Sequence, residues 1–160
     1  MPVVVRRATK DDASIIAKFA MALVEQHIGY DPVRFARIAT EEGMAWFYGG
    51  QIEAGDTAVL AAEVDGLLAG FAYVTFETKN YAELSVFTAR LQDIYVDERF
   101  RSGGAGRALV DAAKSEAKRF GAKKLILSVA AQNAAARGFF EKFGFRTTMF
   151  EMMTELTAES

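Results

Sequence analysis

Short apolar runs, separated by glycines and polar turn residues, recur along the chain and predict an alternation of strands and helices. The clearest pair is the run at residues 57–64 and the run at 67–78, which Asp65-Gly66 joins. Because that dipeptide tolerates positive φ angles, it predicts a tight hairpin between two antiparallel strands. Shorter apolar runs predict further strands at residues 3–8, 90–96, 124–129 and 146–153.

Four helices are predicted between these strands from helical spacing and from the capping residues Thr9, Asp31 and Asn133. They cover residues 10–26, 32–54, 106–120 and 134–143. The predicted order is therefore βααβββαβαβ. Because no repeat or linker interrupts this order, we expect an α/β fold in a single domain, residues 1–160, with one mixed sheet and helices on both faces.

Composition narrows the chemistry that this chain can perform. It has 160 residues, no cysteine, one histidine and a formal net charge of −2. These values argue against disulfides, a cysteine nucleophile, a multi-histidine metal centre and a basic nucleic-acid surface, so no metal and no nucleic acid are expected. No uninterrupted apolar stretch of membrane-spanning length occurs, so we expect a cytoplasmic protein without a membrane partner.

The segment RSGGAG, residues 101–106, lies between a predicted strand and a predicted helix. Glycines let the backbone approach a phosphate closely, and a helix N-terminus presents unpaired N–H groups and a positive dipole end. Arg101 and Arg107 add positive charge on either side. A flexible surface turn is the alternative interpretation. A dinucleotide fingerprint would require glycine at Leu109, and a nucleotide P-loop would require Lys followed by Ser or Thr.

Two motifs at compatible spacing resemble those of the GNAT N-acetyltransferase superfamily. VDERFRSGGAGRAL resembles the acetyl-CoA motif R/Q-x-x-G-x-G/A, with Arg101, Gly104 and Gly106 in its fixed positions. NAAARGFFEKFGF, beginning at Asn133, is similar to the family's later helix with its aromatic-Glu-Lys-x-Gly-Phe ending. The resemblance covers roughly residues 57 to 150, and the first 50 residues match only in element order.

The resemblance implies the GNAT fold, with acetyl-CoA as acyl donor in a cleft where the fourth and fifth strands diverge. The pantetheine would pair with the fourth strand, and the pyrophosphate would bind the glycine loop. The implied cofactor residues are Ile94, Tyr95, Val96, Arg101, Ser102, Gly103, Gly104, Ala105, Gly106, Arg107, Asn133 and Phe140.

Two positions depart from the family pattern. Phe140 occupies the position of the usual tyrosine acid, and Gln92 replaces the glutamate base in the Leu-Glu-Asp pattern of the spermidine/spermine acetyltransferase branch, which this segment otherwise resembles. The candidate catalytic residues are therefore Asp93 and Tyr95, with Glu77 as another possible proton path through water. Regular strand alternation predicts that Gln92 and Asp93 lie on opposite faces.

These observations predict an acetyl-CoA-dependent N-acetyltransferase that acts on the primary amine of a small molecule. The alternatives are a catalytically weak or inactive CoA-binding regulatory protein and an acetyltransferase of protein N-termini or lysines. Trp46, Phe47 and Tyr48 are interpreted as pinning the second helix to the sheet, with an acceptor-pocket wall as the other interpretation. Exposed sheet edges make a homodimer possible.

Overall fold

The computed structural model describes residues 2–157; Met1 and residues 158–160 of the predicted domain lie outside the described residues. The strands are β1 (Val3–Arg7), β2 (Thr57–Val64), β3 (Leu67–Asn80), β4 (Ser85–Val96) and β5 (Lys124–Leu127). The helices are α1 (Ala13–Tyr30), α2 (Glu41–Glu53), α3 (Ala105–Phe120) and α4 (Ala134–Lys142), with 3₁₀ turns at Lys10–Asp12 and Glu98–Phe100.

The five strands form one mixed sheet in the order β1-β2-β3-β4-β5. The first three pairings are antiparallel, and β4 pairs with β5 in parallel. The predicted hairpin between β2 and β3 is confirmed, because Asp65 and Gly66 have φ angles of 51° and 76°. The mixed α/β architecture expected from the sequence is likewise confirmed.

Helices cover both faces of the sheet and create two cores. Alternate β2 side chains divide between them: Leu60 lies in the core beneath α3 and α4, and Val59 lies in the core beneath α1 and α2. The largest buried side chains on the first face include Leu109 and Val110 of α3, whereas Phe71 of β3 is fully buried on the second. The period-two pattern of the strands thus supplies an apolar surface to each helical layer.

The second helix starts later than the sequence predicts. Residues 31–40 form turns and irregular backbone, and α2 begins after Thr40, whose hydroxyl oxygen accepts a hydrogen bond from the Gly43 N–H at 3.0 Å. Asp31 caps only a turn, because its carboxylate accepts bonds from the N–H groups of Val33 and Arg34. The local capping signal at Asp31 is therefore real, but no helix continues from it.

The last predicted strand is absent. Residues 146–157 contain no helix or strand, so the predicted strand at 146–153 is wrong for this chain on its own. A strand requires a neighbour that satisfies its backbone hydrogen bonds, and no described residue pairs with this segment along its length. The strand-like composition of the segment is thus not accompanied by a pairing partner.

Candidate active site

A β-bulge in β4 organises one face of the site. Tyr73 pairs with Asp93 and the next β3 residue, Val74, pairs with Leu91, so Gln92 is an extra residue on β4. Leu91 points into the core beneath α3, whereas Gln92 and Asp93 both line a pocket on the α2 side. The expectation that Gln92 and Asp93 lie on opposite faces is therefore wrong, because the bulge interrupts the alternation.

Strands β4 and β5 diverge immediately before this bulge. Their parallel ladder extends only from Thr88 opposite Lys124 to Leu91 opposite Leu127. Beyond it, residues 93–96 of β4 are paired with β3 alone among residues 2–157. The side chains of Ile94 and Val96 pack against the core beneath α3. The edge of β4 that β5 leaves unpaired therefore presents backbone groups rather than these side chains. Such an edge fits an extended ligand with amide groups, which can add to the sheet as a strand does.

The glycine loop leads directly into α3 at the same end of the sheet. Gly104 is the N-cap, with a φ of 91°, and a Cβ built there would meet no atom within 4 Å. Gly106 is required for close packing, because a Cβ there would lie 3.2 Å from the Phe139 ring. The first N–H that bonds back into the helix is that of Ala108, to the Gly104 carbonyl. The preceding N–H groups are thus available to an anion, and the open, exposed loop fits a pyrophosphate.

The flanking arginines are exposed but already make contacts. The Arg101 Nε donates to the Val96 carbonyl at 3.0 Å, and its guanidinium lies 5.6 Å from the centre of the Tyr95 ring. The Arg107 guanidinium lies 5.8 Å from the centre of the Phe143 ring. Both cations therefore stay close to the loop, where they add positive potential without a buried counter-charge.

The start of α4 faces the same divergence. Asn133 caps this helix through its side-chain oxygen, which accepts from the Ala136 N–H at 3.1 Å, so its amide nitrogen can still donate to a ligand. Phe140 is only 7% exposed and packs against Phe139 and Phe145 at centroid distances of 5.2 and 5.6 Å. Its ring is mainly a core element, with little surface left for a ligand.

A pocket of about 460 Å³ lies on the α2 face of the sheet, beside the bulge. It is lined by Met44, Phe47, Tyr48, Tyr73, Gln92 and Asp93. Phe47 meets the rings of Tyr48 and Tyr73 edge-on, with centroid distances of 5.2 and 5.7 Å. Aromatic faces and one carboxylate therefore surround a space of small-molecule size.

Asp93 is the acid of this pocket, and it is half-buried. The Tyr48 hydroxyl donates a 2.5 Å hydrogen bond to it. Burial raises the pKa of Asp93 above its ordinary value, and the Tyr48 hydrogen bond and the nearby His27 offset this only in part. Burial and the Asp93 charge both raise the pKa of Tyr48, which therefore remains a protonated donor at neutral pH. The arrangement holds one proton-accepting group in a poorly hydrated site.

The other proposed proton carriers have different surroundings. Tyr95 packs against Phe19 of α1 at a centroid distance of 5.5 Å, on the same face as Asp93, and burial raises the pKa of its phenol. Glu77 lies four residues beyond Tyr73 on β3, roughly 13 Å away at the usual strand rise. The structure thus brings Asp93 into the pocket but leaves Glu77 outside it.

The sequence did not identify Met44 or Tyr73 as site residues. For Trp46, Phe47 and Tyr48, it favoured the interpretation that they hold α2 against the sheet. Tyr48 does pin α2, since it is 2% exposed, but it also contacts Asp93, whereas Trp46 is 82% exposed. The Tyr73 hydroxyl donates to the Gln51 side-chain oxygen at 2.7 Å, which fixes its ring at the pocket. The bulge that brings these side chains together contains no glycine or proline, so the sequence carries no local signal that predicts it.

No described helix has the length and apolar character needed to span a bilayer. Across residues 2–157, acidic and histidine side chains form no cluster of three or more that could hold a metal ion.

A mixed sheet that opens beside a glycine-rich helix N-terminus is the architecture of acyl-CoA-dependent acetyltransferases, and the comparisons agree. The model of the acetyltransferase (GNAT) family matches residues 21–145. The uncharacterized N-acetyltransferase YhfO of Bacillus subtilis is 31% identical over 144 residues, which are 88% of each chain. The uncharacterized N-acetyltransferase MJ1207 of Methanocaldococcus jannaschii is 26% identical, over 88% of this chain and 59% of that protein.

Solved structures share the fold. A mutant of the BH1408 protein from Bacillus halodurans has a TM-score of 0.85 at 22% identity, over 96% of this chain and 99% of that one. The aminoglycoside N-acetyltransferase AAC(6')-Iy in complex with CoA has a TM-score of 0.79 at 16% identity, over 97% and 95% of the two chains. This chain therefore belongs to the GNAT acetyltransferase family. It is an N-acetyltransferase whose acyl donor is acetyl-CoA.

Proposed function

We propose that this acetyltransferase acetylates the primary amine of a small molecule, which binds in the pocket beneath α2 with its ammonium group directed at Asp93. The observation that carries the proposal is a half-buried carboxylate in an aromatic pocket, next to the part of β4 that β5 leaves unpaired. Nitrogen and acyl donor would then approach each other from the pocket and from the strand edge. The spermidine/spermine acetyltransferase branch is not part of this proposal, because Gln92 lacks the acid that resemblance would require.

The pocket offers two kinds of attraction to an organic cation. Asp93 supplies a negative charge that is partly shielded from water, and Phe47, which is 37% exposed, presents an aromatic ring, which attracts ammonium groups. A volume of about 460 Å³ lies within the usual range for small-molecule sites. The pocket therefore favours a compact amine with apolar surface over a highly charged or extended one.

The chain's own residues can hold acetyl-CoA, which supplies the activated acetyl thioester. We assign the pyrophosphate to the N–H groups of Ser102 to Arg107, together with Arg101, and the pantetheine to the β4 edge at Ile94, Tyr95 and Val96, where Arg101 would release the Val96 carbonyl to the ligand. Asn133 would donate to a pantetheine carbonyl from the start of α4. Apart from Phe140, whose ring is 7% exposed, these are the residues expected from the sequence, and the loop conformation, the strand divergence and the cap at Asn133 support the assignments.

Proton transfer is the step that needs a side chain. Asp93 would accept a proton from the bound ammonium group, directly or through one water, and the neutral nitrogen would bond to the acetyl carbon as the C–S bond breaks. The CoA sulfur leaves as a thiolate and takes up, through solvent, the second proton that the acetylated nitrogen loses; because an alkyl thiol has a pKa of about 8.5, this departure does not need Phe140 to be an acid. The role of Tyr48 is to hold Asp93 in place and favour its ionised form. Tyr95, held against Phe19, would line the path rather than carry the proton.

Relatives in this fold are named for both kinds of acceptor. One neighbour is an aminoglycoside N-acetyltransferase and another is a ribosomal-protein-alanine N-acetyltransferase. The small volume and aromatic lining of the pocket favour a small molecule here, and a protein N-terminus is the second candidate. We include in the proposal that the whole chain is one domain and that it works in the cytoplasm, consistent with a chain that lacks cysteine and depends on acetyl-CoA.

The test is CoA release with acetyl-CoA and a panel of aliphatic, aromatic and sugar-linked amines, with N-terminal peptides as a separate arm. For the best amine, Asp93→Asn should lower kcat/KM by roughly 10²- to 10⁴-fold, the usual contribution of a general base. The matched control, Asp11→Asn, removes the same charge at an exposed site outside the pocket and should leave the rate unchanged. Turnover of peptides only, or full activity of Asp93→Asn, would contradict the proposal.

A further inference from the structure

The side-chain amide of Gln92 is a polar group of the acceptor pocket that the proposed reaction does not use. Gln92 lines the pocket beside Asp93, and its side chain is exposed. Its Nε2 donates a 3.0 Å hydrogen bond to the hydroxyl oxygen of Thr75 on β3. That bond fixes the orientation of the amide and is the only one it makes within residues 2–157. The amide oxygen and the second amide N–H are therefore available to a ligand.

The hydroxyl protons of the pocket already have partners. The Tyr48 hydroxyl donates to Asp93 at 2.5 Å, and the Tyr73 hydroxyl donates to the Gln51 side chain at 2.7 Å. The rest of the lining is apolar. Because Asp93 is assigned to the ammonium group, Gln92 is the lining residue that can recognise a second polar group of the acceptor.

The β4 bulge places the two recognition groups next to each other. In a regular strand the side chains of successive residues point to opposite faces, but Gln92 and Asp93 both line the pocket. Their Cα atoms are separated by one peptide unit, about 3.8 Å. One compact molecule can therefore place its ammonium group at the carboxylate and a group a few bonds away at the amide.

The pocket lining carries one negative charge. Asp93 is the single carboxylate among the lining residues. Asp56 acts on the phenol of Tyr73 through its charge, but it is exposed and does not line the pocket. The lining thus matches an acceptor with one ammonium group.

The surface beyond Gln92 offers a second ammonium group little attraction. Arg90 lies opposite Thr75 in the strand register and hence on the same face of the sheet, where its guanidinium contacts Glu83 at 3.7 Å. A cation placed at Gln92 would exchange water for an uncharged amide, close to a second cation. A hydroxyl or an amide placed there can both accept from the Gln92 N–H and donate to its oxygen.

We propose that Gln92 is a specificity-determining residue that binds a neutral hydrogen-bonding group of the acceptor. The acceptor class is then a compound with one ammonium group and a hydroxyl or an amide a few bonds from the reacting nitrogen. Hydrocarbon amines and diamines are poorer acceptors. This role of Gln92 rests on the proposed function, because it takes Asp93 as the group that binds the ammonium.

Three probes of equal length separate these classes: propylamine, 3-aminopropan-1-ol and 1,3-diaminopropane. Their kcat/KM values are measured by CoA release, and their dissociation constants for the CoA-bound protein by ligand-observed NMR. The amino alcohol should exceed each of the other two by roughly 3- to 10-fold in both quantities, the usual effect of one neutral hydrogen bond. An amino alcohol that binds no better than propylamine would overturn the proposal.

Two substitutions test whether Gln92 is the source of this preference. Gln92→Leu removes the amide at similar size and should make propylamine and the amino alcohol equivalent. Gln92→Glu adds a carboxylate that can still accept from Thr75, and it should shift the preference toward the diamine by several-fold. The matched control is Gln132→Leu, which changes an exposed glutamine outside the pocket and should keep the wild-type preference.

The two levels of the hypothesis fail differently. Full activity of Asp93→Asn, or turnover of peptides only, contradicts the proposed function and the role of Gln92 with it. If Asp93→Asn is inactive but Gln92→Leu keeps the wild-type preference for the amino alcohol, the proposed function stands and the role of Gln92 is overturned. Because each variant is judged by the ratio between probes, a general loss of activity or stability does not imitate the expected result.

Discussion

The proposed cofactor loop and the proposed acceptor pocket are built in contrasting ways. The loop is one contiguous segment, residues 101–107, that acts mainly through backbone N–H groups, whereas the pocket combines side chains of α2, β3 and the β4 bulge. A phosphate site made of backbone needs only glycines and a helix start, which are visible in sequence. A pocket made of side chains depends on strand register and on which helix residue faces the sheet. The proposed binding site of the acyl donor can therefore be recognised from adjacent residues in the sequence, whereas the proposed binding site of the acceptor cannot.

The largest effect is expected from Gly104→Glu in the cofactor loop. The substitution forces a side chain into a φ of 91° and places a carboxylate where the pyrophosphate is expected. CoA affinity, measured by calorimetric titration, should fall by roughly 100-fold, equivalent to about 2.7 kcal/mol. Gly104→Asn, which tolerates the same backbone conformation without adding charge, should lose much less. Equal affinity in the wild type and in Gly104→Glu would break the assignment of the loop.

Tyr48→Phe tests the pocket without touching the loop. Loss of the hydroxyl removes a hydrogen bond that lowers the pKa of Asp93, so that pKa should rise further. The acid limb of the kcat/KM profile should then move to higher pH, so that the rate at pH values on that limb falls by several-fold. CoA affinity should be unchanged. An unmoved acid limb would show that Asp93 is not the titrating base.

Asp93→Asn should separate stability from activity. The folded pKa of Asp93 is raised, so the carboxyl favours folding below its ordinary pKa, and stability is lost as the pH rises through the folded value. At neutral pH the charged side chain therefore costs stability, and the asparagine variant should melt no lower than the wild type, and by up to a few degrees higher. Because this gain depends on ionisation, it should vanish in melts at a pH near 4. A variant that melts well below the wild type at neutral pH would contradict a destabilising charge.

The smallest effect is expected from Trp46→Ala, two positions before Tyr48 on α2. Its ring is 82% exposed and does not line the pocket, so thermal unfolding should change by no more than about 0.5 kcal/mol. Amine turnover should remain at the wild-type level. A large loss of turnover would mean that the acceptor site extends over the outer surface of α2.

Sequence reasoning succeeded where a feature depends on neighbours along the chain. The Asp65-Gly66 hairpin, the helix that begins after Gly104 and the cap at Asn133 all occur as expected, because turn and capping geometry involve only a few adjacent residues. The helix expected after Pro32 failed despite a valid cap, since helix propagation needs more than its first turn.

By itself, the sequence determined the alternation of elements, the layered α/β fold and the glycine loop before α3 to which we assign the pyrophosphate, because each follows from local periodicity and turn chemistry. Only the tertiary structure decided that Asp93 shares a pocket with Gln92 and Tyr48, because one extra residue in β4 reverses the faces that follow it. It also decided that residues 146–157 form neither a helix nor a strand. A strand-forming segment becomes a strand only when another strand edge is within reach of its backbone.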